Sequence, residues 1–183
     1  MSMTKVFRSW RHLVVLTSLA IAKPATAEVI NLDGWELDRD AESCLLTGVF
    51  KGGTRLELFS AETDAFLVTL QNPNWRSITH QRMYDIEVEF DEEGPWKLRA
   101  MGWVDSGERD PAIAFTRSAI SANGGDLFVK EFAAARSMRI SIGSRRIDRL
   151  SLAGSLKAVA AFLNCLAALP SESQADDDKG VEI

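Results

Sequence analysis

The sequence predicts a mainly β (α+β) domain: an antiparallel sheet or β-sandwich, with a short helix and a C-terminal helix packed on it, and one disulfide. Three observations predict it. Short runs rich in Leu, Val and Phe recur between turn residues from Cys44 onward. The stretch YDIEVEF, residues 84–90, alternates Tyr84, Ile86, Val88 and Phe90 with Asp85, Glu87 and Glu89, the period of a strand with one buried face. Near its end the chain has an alanine-rich apolar stretch with Leu156, Val159, Ala160, Leu163 and Leu166 at helical spacing, and this stretch carries Cys165, one of only two cysteines.

The first 27 residues read as a secretory signal peptide. Lys5, Arg8 and Arg11 form a basic start, Leu13 to Ala22 an apolar run, and Ala25-Thr26-Ala27 a small-residue cleavage site, with the cut expected after Ala27. The apolar run is about 10 residues, short of the ~20 that span a bilayer. Residues 28–170 have the length of one β-rich domain. Residues 171–183, SESQADDDKGVEI, form an acidic tail of the composition that stays disordered. The whole chain carries a formal charge of −5, and its first 27 residues hold Lys5, Arg8, Arg11 and Lys23 with no acid. The exported part is therefore more acidic still, which argues against nucleic acid or anionic lipid as a partner.

Strands are expected at 44–50, 54–60 and 66–70, separated by Gly52-Gly53 and the AETDA stretch, with Asn72-Pro73-Asn74 as a further turn. Residues 84–90 and 96–104 form a hairpin. Centring its turn on Glu93 sets Phe90 opposite Trp96, Val88 opposite Leu98 and Ile86 opposite Ala100, with Glu89 facing Lys97 and Glu87 facing Arg99. Residues 112–117 read as a strand and 127–136 as a short helix with Asp126 as its N-cap. Residues 137–142 and 145–152 make a second hairpin around Gly143-Ser144, and 154–169 the last helix, a lid over the sheet with Ser155 as its cap.

Two cysteines in an exported chain read first as a disulfide, Cys44–Cys165. Closing a loop of that length stabilises a fold by up to ~4–5 kcal/mol on the chain-entropy argument. A paired redox site and intermolecular bridges are the alternatives, though the chain lacks a Cys-x-x-Cys.

Chemistry-bearing residues are few. His80 is the one histidine after residue 27, and no Gly-x-Ser-x-Gly accompanies it, so no catalytic residue is assigned. No metal or cofactor is expected: the cysteines are better used in a disulfide, and neither an EF-hand loop nor a phosphate-binding Gly-x-x-x-x-Gly-Lys motif occurs. Acids at 85–93 leave open a carboxylate pair for hydrolysis. Arg136, Arg139, Arg145, Arg146 and Arg149 make the second hairpin basic, with Asp148 its only acid. The expected partner-binding residues are Arg139, Arg145, Arg146 and Arg149, together with an exposed Trp75 beside Arg76. Internal pairing with the acidic hairpin is the competing use of those arginines.

The ending, a strand running into Leu152-Ala-Gly-Ser and then Ala158, Phe162 and Cys165, resembles the close of small exported bacterial proteins, among them the invasion-associated locus B family and periplasmic accessory proteins of type VI secretion. Trp35 and Cys44 followed by a late cysteine fit the same type. The resemblance implies a Gram-negative envelope protein of β-rich fold. The expectation is an exported, periplasmic, non-enzymatic binding or accessory protein contacting an envelope protein or cell-wall component. The alternatives are a carboxylate hydrolase acting on cell-wall or surface material, and a secreted host-interaction factor.

Overall fold

The computed structural model describes residues 27–61, 66–91, 93–104, 110–116 and 125–169. The expected signal segment through residue 26, the acidic tail, residues 62–65, Glu92 and residues 105–109 and 117–124 lie outside the described residues. The chain forms β1(Glu28–Leu32), β2(Trp35–Arg39), β3(Cys44–Val49), β4(Arg55–Ser60), β5(Leu67–Gln71), β6(Met83–Phe90), β7(Trp96–Trp103), β8(Ala112–Thr116), α1(Gly125–Ala134), β9(Ser137–Ile142), β10(Arg145–Ser151) and α2(Ser155–Leu166). All ten strands join one antiparallel sheet in the order β1-β2-β3-β4-β5-β8-β7-β6-β9-β10. The expected strands and both helices are present. The first hairpin is an addition: Asp33 and Gly34 hold φ of 50° and 94°, the two left-handed positions of a type I′ turn, and pair Leu32 with Trp35.

Alternation carries one core face across the whole sheet. Leu37, Leu46, Leu56, Leu70, Ile113, Ile86, Phe90, Met138, Ile140 and Leu150 are all nearly inaccessible. The helices cover this face. Phe128 of α1 packs edge-on to Phe90, Trp96 and Phe115 with centroids 5.1, 5.6 and 5.9 Å away. Phe132, one turn on, meets Trp35 of β2 at 5.8 Å and Phe90 of β6 at 6.1 Å. One helix therefore touches strands far apart in the sheet order, which requires the sheet to coil around it. Trp35 and Trp96 satisfy their indole N–H groups on the Ala153 carbonyl (3.1 Å) and the Glu131 carboxylate (2.6 Å).

Helix α2 lies against β2 and β3, with Ala158, Val159, Phe162, Cys165 and Leu166 buried. Cys165 is disulfide-bonded to Cys44 of β3, with Cα atoms 6.2 Å apart and a sequence separation of 121. The lid and its staple are thus both present. The capping differs from expectation. Gly154 takes the N-cap position at φ 82°, with no side-chain cap, and a Cβ there would sit 3.0 Å from the Asp33 carbonyl oxygen. Ser155 is buried and its hydroxyl donates to the Ala133 carbonyl at 3.1 Å, tying α2 to α1 instead of capping. Helix α1 begins at Gly125, two residues before the expected start, and Asp126 as its cap rests on a side chain outside the described set.

The β6–β7 register is corrected by two residues. Val88 pairs with Trp96, Ile86 with Leu98, Glu87 with Lys97 and Asp85 with Arg99. A shift of two keeps every side chain on its expected face, so the alternation could not detect it. The shift has a cause outside the hairpin. Phe90 pairs with Met138 of β9, and the Asp91 carboxylate accepts the N–H groups of Arg136 and Ser137, so the end of β6 belongs to β9.

Candidate functional site

The outer face of β9 and β10 gathers the basic residues. Residue 147 forms a β-bulge, since the register moves between Arg146↔Ser141 and Asp148↔Ile140. Without it, two residues three apart on a strand would face opposite ways. With it, Arg146 and Arg149 both stand on the outer face, and Arg149 lies directly opposite Arg139. Arg145 opposes Ile142 at the hairpin tip, on the other face. Arg139 is half-buried and ion-pairs with Glu89, so it serves internal pairing rather than a free docking role. Arg145, Arg146 and Arg149 are exposed, and none pairs with an acid among the described residues. Elsewhere on the outer face Arg55 pairs with Glu57 at 3.1 Å and Arg99 with Asp85 at 3.9 Å.

Strand β10 is an edge, yet its backbone is poorly disposed to add a strand. The bulge breaks its ladder, and the Arg149 N–H is taken by the Asp148 carboxylate at 2.7 Å. The other oxygen of Asp148 accepts from the hydroxyl of Thr54, which is fully buried. Thr54 in turn accepts from the Asn72 amide at 2.7 Å, and that amide also donates to the Gly52 carbonyl at 3.2 Å. This chain of three polar side chains locks the edge strand to the β3–β4 turn. It gives Asp148, the hairpin's only acid, a structural use.

Trp75 is corrected from contact residue to core residue: it is 8% exposed, while Arg76 beside it is exposed. The Asn72 carbonyl accepts the Trp75 N–H at 3.1 Å, folding the indole inward. The exposed aromatic is Trp103 instead, at 42%. It stands at the end of β7 with the His80 ring 4.8 Å away at 70°. On the same outer face Met101 (38%) lies directly across from Met83 (45%). Sequence reading missed this grouping, because the four residues are spread over 80–103 and only the β6–β7 register joins them.

The carboxylates of β6 have neighbours of their own. Glu89 is occupied by Arg139, and Glu87 faces Lys97 on one side and Ser141 on the other. The Asp91 carboxyl is held below the usual carboxylate range by hydrogen bonds from the Arg136 and Ser137 N–H groups. Asp40 is likewise lowered, chiefly by the Glu42 N–H and then by Ser43. Asp40 accepts local backbone N–H groups, a turn-fixing use, whereas Asp91 accepts N–H groups from the start of β9 and ties β6 to it. A shallow cavity of about 400 Å³ lies between the end of α1 and the start of α2, lined by Ala133, Arg136, Leu152, Ala153, Gly154 and Leu156 among others. No group of three or more His, Cys, Asp or Glu side chains suited to a metal occurs among the described residues, and no described helix is long and apolar enough to cross a membrane. No family of known proteins, no curated protein and no solved structure matches this chain.

Proposed function

We propose that the protein is an exported, periplasmic, non-enzymatic binding or accessory module, and that it docks on an anionic component of the cell envelope through the outer face of β10. The observation that carries this reading is the alignment of two exposed arginines that pair with no acid among the described residues. Arg146 and Arg149 are aligned on one face by a bulge, beside an already neutralised Arg139, on a strand that resists strand addition. A net-acidic protein with a local basic face attracts anionic groups there and repels them elsewhere. The signal-like segment at 1–27 and the resemblance of the C-terminal strand, turn and helix to small envelope proteins support the compartment. A disulfide is also what an oxidising compartment permits.

The test is co-sedimentation of the protein with isolated envelope fractions across a salt series. Wild type sediments at low salt and releases as salt rises; Arg146→Glu/Arg149→Glu stays in solution. Protease treatment of the fraction separates an acidic protein partner from a cell-wall polymer. Equal sedimentation of both forms refutes the docking face.

A further inference from the structure

We infer that Met83, Met101 and His80, walled by Trp103, form a surface site for a single soft monovalent metal ion, copper(I) in chemical class. Methionine in a β protein normally fills gaps in the core, as Met138 does here at 2% exposure. Met83 and Met101 do the opposite: they stand on the wet face of the sheet, opposite one another. The Gly102 N–H donates to the Arg82 carbonyl at 2.7 Å, so 82/102 is a hydrogen-bonded pair and 83/101 is of the non-hydrogen-bonded kind. Side chains approach more closely in such a pair, with Cβ atoms about 4.5–5.5 Å apart. Each thioether hangs on a flexible chain with three rotatable bonds, so two sulfurs can close on one ion without moving backbone.

The backbone next to the pair places His80 beside Trp103, two residues along the strand from Met101. The Gln81 N–H donates to the Gly102 carbonyl at 2.8 Å, so Gln81 and Arg82 together oppose Gly102 in a bulge, with Gln81 at φ 60°. The turn carrying Thr79 crosses so close to β7 that a Cβ on Gly102 would lie 2.3 Å from the Thr79 carbonyl oxygen. This glycine therefore admits the turn, and the bulge carries His80 round the strand end onto Trp103. Among the described residues the His80 Nδ1 accepts one hydrogen bond, a long one of 3.4 Å from the Val104 N–H.

Two thioethers and an imidazole are neutral donors. They are a poor match for hard divalent cations and a good one for copper(I). The adjacent indole adds a cation–π face. Arg82 does not oppose the bound charge from this side, since its guanidinium sits over the Tyr84 ring, 5.4 Å from the centroid. Both cysteines are in the disulfide, so no free thiol competes.

The experiment uses the full chain, without reductant, and silver(I) as a redox-inert probe in chloride-free buffer. Native mass spectrometry counts bound ions, and tryptophan emission follows the titration. Wild type takes up one ion more than Met83→Leu/Met101→Leu, a comparison in which Met1 and Met3 cancel. The double variant binds at least about tenfold more weakly. His80→Gln also weakens binding, while Trp103→Phe retains the ion but loses most of the emission change. Unchanged circular dichroism and thermal midpoint show that the variants are folded. Equal uptake by wild type and the double variant overturns the proposal, as does zinc(II) displacing silver(I).

Discussion

Opening the Cys44–Cys165 bond removes the longest-range covalent constraint among the described residues. The loop it closes spans a separation of 121. On the chain-entropy relation that length corresponds to about 5 kcal/mol at 25 °C, acting on the unfolded chain. The native side loses less. Val159, Phe162 and Leu166 remain buried against the sheet whether or not the sulfurs are bonded, and each such side chain holds about 1.5–3 kcal/mol of burial. Helix α2 therefore stays docked in Cys44→Ala/Cys165→Ala, and the whole domain becomes easier to unfold. The expected loss is about 3–5 kcal/mol, or roughly 10–15 °C in Tm for a chain of this size. Urea unfolding followed by tryptophan emission measures it. The slope against urea should rise in the variant, because its unfolded state is no longer tied into a compact loop. A loss under about 1 kcal/mol with an unchanged slope would refute the staple argument. Early proteolysis of α2 alone would refute the claim that packing suffices to keep it docked.

Three further outcomes rest on named contacts. Gly102→Ala places a methyl 2.3 Å from the Thr79 carbonyl oxygen and 2.8 Å from the Tyr84 ring; chemical denaturation should show a loss of about 1–3 kcal/mol. Thr54→Val keeps the shape but removes the donor to Asp148 Oδ2 and one of the two acceptors of the Asn72 amide, an expected cost of about 1–3 kcal/mol, and hydrogen exchange should rise first in β10. The folded-state pKa of Asp91 lies below its ordinary value, so its contribution is complete above about pH 3.9 and is lost as pH falls below that. Thermal midpoints recorded from pH 6 to pH 2 should therefore fall less steeply at the acid end in Asp91→Asn than in wild type.

Much of the fold was legible because it is local. Period-two alternation assigned faces along 84–90 and 96–104, and helical spacing marked the buried side of the last helix, each without knowledge of any partner. The first hairpin was equally legible: Asp33-Gly34 between alternating EVINL and WELDR is a strong turn signal, overlooked beside the more hydrophobic strands. The β6–β7 register was not legible. Two alignments two residues apart bury the same side chains, and the choice between them lies with Met138 and the Arg136–Ser137 backbone.

The candidate sites divide the same way. The arginines of 139–149 stand out in the sequence, yet which of them share a face depends on one bulged residue, held in a strand whose Asp148 answers to Thr54, 94 positions away. Trp75 and Trp103 are indistinguishable by composition; a turn hydrogen bond folds the first inward, and the strand register leaves the second outside. The sequence by itself determined the mainly β class, which side of each strand is apolar, and the two cysteines open to pairing, because those follow from short-range spacing and residue chemistry. Only the tertiary structure decided that Met83 faces Met101 and that His80 meets Trp103, because cross-strand neighbours are set by hydrogen-bond register, which the residues of one strand cannot specify alone.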